Sequence, residues 1–163
     1  MDDLRWSMSE ARRTVHPRDA APLVGTELFA TDWRRVDRSH LDMFHWSVDE
    51  VAAAADVSAN ADFPRAADNV DGFMLVALAT SAFFNNFPIG GVGLVAWNYG
   101  LDRVRFPATV YLENRIRLRT TLEAVEERGD GWLLRNFVTI DLEESTRPAM
   151  VGAWLVMLTP TTG

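Results

Sequence analysis

The stretch Gly72-Phe-Met-Leu-Val-Ala-Leu-Ala-Thr-Ser-Ala-Phe-Phe84 carries no charge, and wound as a helix it is apolar on every face. A bilayer span needs about 20 such residues. This run is shorter, so it predicts a helix buried inside a domain. Asp71 or Asn69 can cap its start, and Asn85, Asn86 and Pro88 stop it. A helix with no polar face requires other elements wrapped around it.

The C-terminal half supplies that wrapping. Gly90 to Gly93 reads as a flexible hinge, and Leu101 to Phe106 as a strand ending at Pro107. From Arg115 to Glu126 the chain alternates. Ile116, Leu118, Thr120, Leu122 and Ala124 fall on one side, and Arg115, Arg117, Arg119 and Glu123 on the other, as in a half-buried strand. Arg128-Gly-Asp-Gly131 is a turn. Trp132 to Glu143 alternates again, and Ala149 to Leu158 is almost continuously apolar, as a central strand is. One buried helix followed by an antiparallel meander is an α+β layout with the sheet curled around the helix.

Upstream, the sequence predicts a strand over Leu28 to Val36. A short helix follows over Asp37 to Phe44, capped by Asp37, with Leu41 and Phe44 on one face. Ser47-Val-Asp-Glu50 fits a capping box, which predicts a second helix running into Ala52 to Ala55. Residues 56–69 read as a loop. Residues 1–22, with Arg12, Arg13 and Arg18, read as a solvated N-terminal arm, and 23–163 as a single domain.

Composition narrows the chemistry. The 163 residues carry a formal net charge of −7, which argues against a nucleic-acid partner. Cysteine is absent, which removes disulfides, thiolate nucleophiles and Cys-ligated zinc. All 16 basic residues are Arg, which removes Schiff-base lysine chemistry. No metal-ligand spacing occurs, so no metal or other cofactor is expected. No leader pattern and no membrane span are evident, so a cytoplasmic location is expected.

Asn98-Tyr-Gly-Leu-Asp-Arg-Val-Arg-Phe-Pro107, followed by Asn114-Arg-Ile-Arg117, resembles the MaoC-like, NodN-type branch of the hot-dog fold, which includes the R-specific enoyl-CoA hydratases. The resemblance runs from about Asp71 to Pro160. It implies a hot-dog domain, an antiparallel sheet wrapped around a central helix, and pairing into homodimers or higher homo-oligomers. It also implies reversible hydration of 2-enoyl thioesters of coenzyme A or acyl carrier protein, or of a related β-hydroxy carbonyl compound. In that family an Asp and a His of a G-D-x-N-P-x-H loop activate water. The amide of a Gly in an A-H-G-[FM] motif binds the thioester oxygen.

Here Asn69-Val-Asp-Gly-Phe73 stands where the family has A-H-G-F, so Gly72 inherits the oxyanion role and Asp71 replaces the His. No Asp-x-x-x-x-His spacing occurs in the chain, so the family dyad is absent. Two alignments stay open. In one, Ser47 takes the His position and Asp42 the Asp position. In the other, the loop is shortened after Phe44, and His45 pairs with Asp49. His45 has the side chain suited to general-base work near neutral pH, and it also reads as a helix-end residue packed by Phe44 and Trp46. Asp42 and Asp49 also read as exposed helix carboxylates, and Asp71 as a plain helix cap. Asn98 and Tyr99 are candidate pocket residues or determinants of strand geometry. The Arg115, Arg117 and Arg119 stripe could meet phosphates, and reads first as a solvated strand face. Two other roles stay open beside the hydro-lyase: a degenerate subunit supporting a catalytic partner, and a hot-dog thioesterase using Asp71.

Overall fold

The computed structural model describes residues 14–48 and 68–161. Alternation in the C-terminal half builds its frame. β6 (Arg115–Arg128) and β7 (Gly131–Leu142) form one hairpin, from Ile116 opposite Leu142 to Arg128 opposite Gly131, with a register shift between Leu122 and Ala124 that brings Val125 rather than Ala124 against the core. Gly129 turns it at φ +64°, a left-handed conformation that glycine adopts without a Cβ clash. β8 (Met150–Pro160) pairs with β7, and β4 (Leu94–Arg105) closes one edge. β1 (Glu27–Ala30) and β2 (Arg34–Arg35) both pair with β6 at the other edge. The antiparallel order is β1-β6-β7-β8-β4. β3 (Asn69–Val70) and β5 (Val110–Tyr111) make a separate two-stranded ladder.

One face of the sheet carries Ile116, Leu118, Leu122, Leu134, Val138, Ile140, Val156 and Leu158, all buried. The central helix α2 (Gly72–Asn86) lies in the same core with Met74, Leu75, Ala79, Ala82 and Phe83. Phe83 stacks on Trp154 of β8 at 5.3 Å and meets Phe29 of β1 edge-on at 6.2 Å. This is the expected α+β arrangement.

α2 is not buried on every face, contrary to its composition. Phe73, Ala77, Ser81 and Phe84 form an exposed stripe along it, and Phe73 is 75% exposed. A single sheet can cover only one side of a rod. α2 also runs on through Asn85 and Asn86, because the Asn86 side chain donates to the Ala82 carbonyl at 2.7 Å within the helix.

Helix α1 (Arg38–Ser47) starts where predicted: the Asp37 carboxylate accepts from the His40 amide at 3.0 Å. It ends later. Ser47 closes this helix, its hydroxyl donating to the Phe44 carbonyl at 2.7 Å, rather than opening a second one. Glu50, Ala52 to Ala55 and residues 56–67 lie outside the described residues. The strand expected over Leu28 to Val36 is split at Thr31. Its hydroxyl accepts the Leu118 amide at 2.9 Å, taking a ladder position that a backbone carbonyl would fill. β4 begins at Leu94, not Leu101. Register shifts near Asn98/Gly100 and Asp102/Arg105 break the alternation by which a strand is recognised.

The described part of the N-terminal arm is docked rather than solvated. Val15 bridges Ile89 in parallel, its amide donating to Pro88 at 2.8 Å, and Pro17 and Ala20 are buried. Among the described residues no helix is long and apolar enough to cross a membrane.

Candidate active site at the start of the central helix

Asp71 sits in extended backbone and caps α2, its carboxylate accepting from the Phe73 amide at 2.7 Å. Its carbonyl accepts from Leu75 at 3.0 Å. The amide between them, that of Gly72, has no acceptor among the described residues. An unpaired N–H at the positive end of a helix dipole is a ready donor to a partial negative charge.

Phe106, from the V-R-F-P segment, closes against this point. A Cβ on Gly72 would lie 2.9 Å from the Phe106 ring, so the close approach requires glycine. The two sequence segments that carry the family resemblance therefore meet at one contact. Phe106 is 42% exposed, and Phe73 and Tyr111 are exposed as well, so the helix start opens onto an apolar rim. The β3–β5 ladder, which pairs Asn69 with Tyr111 and Val70 with Val110, holds this rim to the helix.

An ion pair between Arg38 and Asp68 ties the first turn of α1 to the segment leading into α2. Asp42 and His45 follow Arg38 at helical spacings of one and two turns, so they share its side of α1. His45 is half-buried, its ring tilted against Phe44 at 6.2 Å, while Asp42 is exposed. Among the described residues neither side chain hydrogen-bonds to Asp71 or to Gly72. Asp49 lies outside the described residues.

Asn98 and Tyr99 separate. The Asn98 carboxamide oxygen accepts from the Trp154 indole at 3.1 Å, and so orients the aromatic that stacks on α2. Tyr99 is half-exposed at the β4 irregularity, with Arg128 5.0 Å above its ring. The arginine stripe on β6 is ion-paired. Arg115 meets Glu143 at 2.8 Å, Arg117 meets Asp141 at 2.9 Å, and Arg119 meets Asp141 at 2.7 Å and Glu27 at 3.5 Å. Burial raises the Asp141 carboxyl, but hydrogen bonds from Arg119 and Arg117, with their charges, outweigh it and hold it below the usual carboxylate value.

Sequence reading missed one pair. His40 places Nδ1 2.9 Å from the Asp37 carboxylate, while its Nε2 is buried with no partner among the described residues. The Ser39 hydroxyl and the His40 amide hold the Asp37 carboxyl below its usual value. The i, i+3 spacing from a capping Asp was the available clue. Among the described residues no group of three or more His, Asp or Glu could hold a metal.

The sequence and the fold both resemble known proteins. The chain is 31% identical over 147 residues to the 3-hydroxyacyl-thioester dehydratase Z of Mycobacterium tuberculosis, covering 85% of this chain and 92% of that protein. This chain belongs to the MaoC/NodN hot-dog family. Nodulation protein N of Rhizobium leguminosarum bv. viciae is 28% identical over 143 residues, covering 86% of this chain and 89% of that protein. Among solved structures, the monoamine oxidase regulatory protein from Archaeoglobus fulgius superposes with a TM-score of 0.71 at 11% identity, over 93% of this chain and 99% of that one. The (R)-hydratase of A. caviae superposes at 0.57 with 16% identity, over 82% and 94%. Both structural likenesses are of the hot-dog fold. No family model matches the chain.

Proposed function

We propose that this chain is a hydro-lyase that adds or removes water at the carbon β to the carbonyl of an acyl thioester. The observation that carries the reading is the Gly72 amide at the head of α2, which has no acceptor among the described residues while the Asp71 carboxylate accepts from Phe73. The dehydratase name of the mycobacterial relative supports the reaction class.

In the hydration direction, a base takes a proton from water and the oxygen attacks the β-carbon. The π electrons shift onto the thioester oxygen, and the α-carbon then gains a proton. Gly72 N–H donates to the oxygen that gains charge, at the positive end of the helix. Asp71 is held by its cap bond, an arrangement that limits its repulsion of the same oxygen. His45 or Asp42 on α1 moves the protons, with Asp49 as the alternative partner of His45. The substrate is a 2-enoyl or 3-hydroxyacyl thioester of coenzyme A or a carrier protein. The working form is a homodimer that covers the exposed edge strand β4.

The test is direct. The purified chain, given a 2-enoyl-CoA, is expected to bleach the conjugated thioester absorbance without releasing thiol. His45→Ala is expected to abolish turnover with an unchanged circular dichroism spectrum. Thiol release would replace this reading with a thioesterase. Silence alone, with activity only beside a co-expressed homologue, would replace it with a supporting subunit. Full activity in the His45 variant would remove that residue from the mechanism.

A further inference from the structure

Arg117, Arg119, Thr139 and Asp141 alternate with the core-facing residues of β6 and β7, so they project from the sheet face opposite α2. There they line a cleft of about 540 Å³ between Trp33, ahead of β2, and the loop joining β7 to β8. The charge arrangement is uneven. The Asp141 carboxylate takes Nε of Arg117 at 2.9 Å, and Nε and Nη2 of Arg119 at 2.7 and 2.9 Å. Arg117 spends only Nε on that contact. Its Nη1 and Nη2 have no acceptor among the described residues, and its guanidinium is held 4.7 Å over the Trp33 ring. The Thr139 and Thr146 hydroxyls, also in the lining, have no hydrogen bond there either. Trp33, Leu142 and Pro148 give the cleft an apolar wall. Glu144, also in the lining, holds a left-handed backbone at φ +61°, an uncommon conformation for a residue with a side chain.

We propose that this cleft binds a small monocarboxylate with an aromatic or apolar body, its carboxylate on the free fork of Arg117 and its body against Trp33, Leu142 and Pro148. A planar guanidinium edge with two unused donors matches a carboxylate in geometry as well as charge. Stacking on the indole fixes that edge before a ligand arrives. Thr139 and Thr146 supply further donors. Asp141 and Glu144 in the same wall disfavour a second negative charge, which selects a carboxylate over a phosphate dianion. The volume falls within the range of small-molecule sites. The cleft lies on the face away from Gly72, so its occupancy stands apart from the proposed reaction.

The probe is benzoate, titrated into the full chain and followed by the Trp33 indole N–H resonance, which is identified by its loss in Trp33→Phe. Benzoate is expected to shift that resonance saturably. Benzamide, the neutral isostere, is expected to bind at least tenfold more weakly, and inorganic phosphate not to saturate. Arg117→Gln is expected to remove the effect, and Arg117→Lys, which keeps the charge without the fork, to weaken it severalfold. Thr139→Val, which leaves the ion pairs intact, is also expected to weaken it severalfold. The assignment is overturned if no saturable shift occurs, if benzamide or phosphate binds as tightly as benzoate, or if a folded Arg117→Gln variant retains the shift.

Discussion

At Gly72 two features meet on one residue: the helix start leaves its amide without an acceptor among the described residues, and the Phe106 ring takes the space a side chain would fill. Gly72→Ala keeps the amide and removes the space. The added methyl must displace the ring edge now at 2.9 Å, at a cost of about 1 kcal/mol, the low end for overpacking. Urea unfolding is expected to show that loss, and the double variant Gly72→Ala, Phe106→Ala to show less than the sum of its parts. Additive losses would mean that the ring does not oppose the methyl. The Asp37–His40 pair makes a related point: a carboxylate chosen to cap a helix also fixes a ring three residues on.

Among the elements, the β6–β7 hairpin carries a network of ion pairs through Arg115, Arg117, Arg119 and Arg135, and its pH response follows from Asp141. That carboxyl titrates below its ordinary value in the folded chain, so the folded state holds its proton less tightly than the unfolded state does. Its stabilisation is therefore complete above the unfolded value near about pH 4, and drains away as the pH falls through the lower folded value. Wild-type urea midpoints are expected to fall steeply below about pH 4. Asp141→Asn is expected to start lower at pH 6 and to fall less steeply, so that the two curves converge in acid. Parallel curves would show that Arg117 and Arg119 do not couple to folding through this carboxylate. The other face of the same hairpin is apolar and buried, so the charges tune stability on a frame set by burial.

For the whole molecule, the free edge matters most. β4 is twelve residues long, has no strand on its outer side among the described residues, and presents Trp97 at 56% exposure beside Tyr99 and Leu101. A long apolar edge left open is a pairing surface, and the exposed α2 stripe from Phe73 to Phe84 adds to it. The proposed homodimer would cover both. Light scattering on the wild type is expected to give twice the 18.3 kDa chain mass. Leu101→Glu is expected to shift the population toward monomer, with catalysis falling in parallel. A wild-type monomer at micromolar concentration would remove the dimer from the functional reading.

Local periodicity was enough to place β6, β7 and β8, the Asp37 cap of α1 and the Asp71 cap of α2. Each depends on neighbours along the chain, and alternation or a capping side chain records those directly. The end of α1 at Ser47 and the early start of β4 escaped that reading, because a hydroxyl can serve a helix end as well as a helix start and register shifts erase alternation. The close approach of Phe106 to Gly72, the half-exposure of α2 and the cleft around Arg117 were decided only in three dimensions. They depend on which surfaces the sheet brings face to face, a quantity set by packing between segments distant in sequence and absent from any single window of the chain.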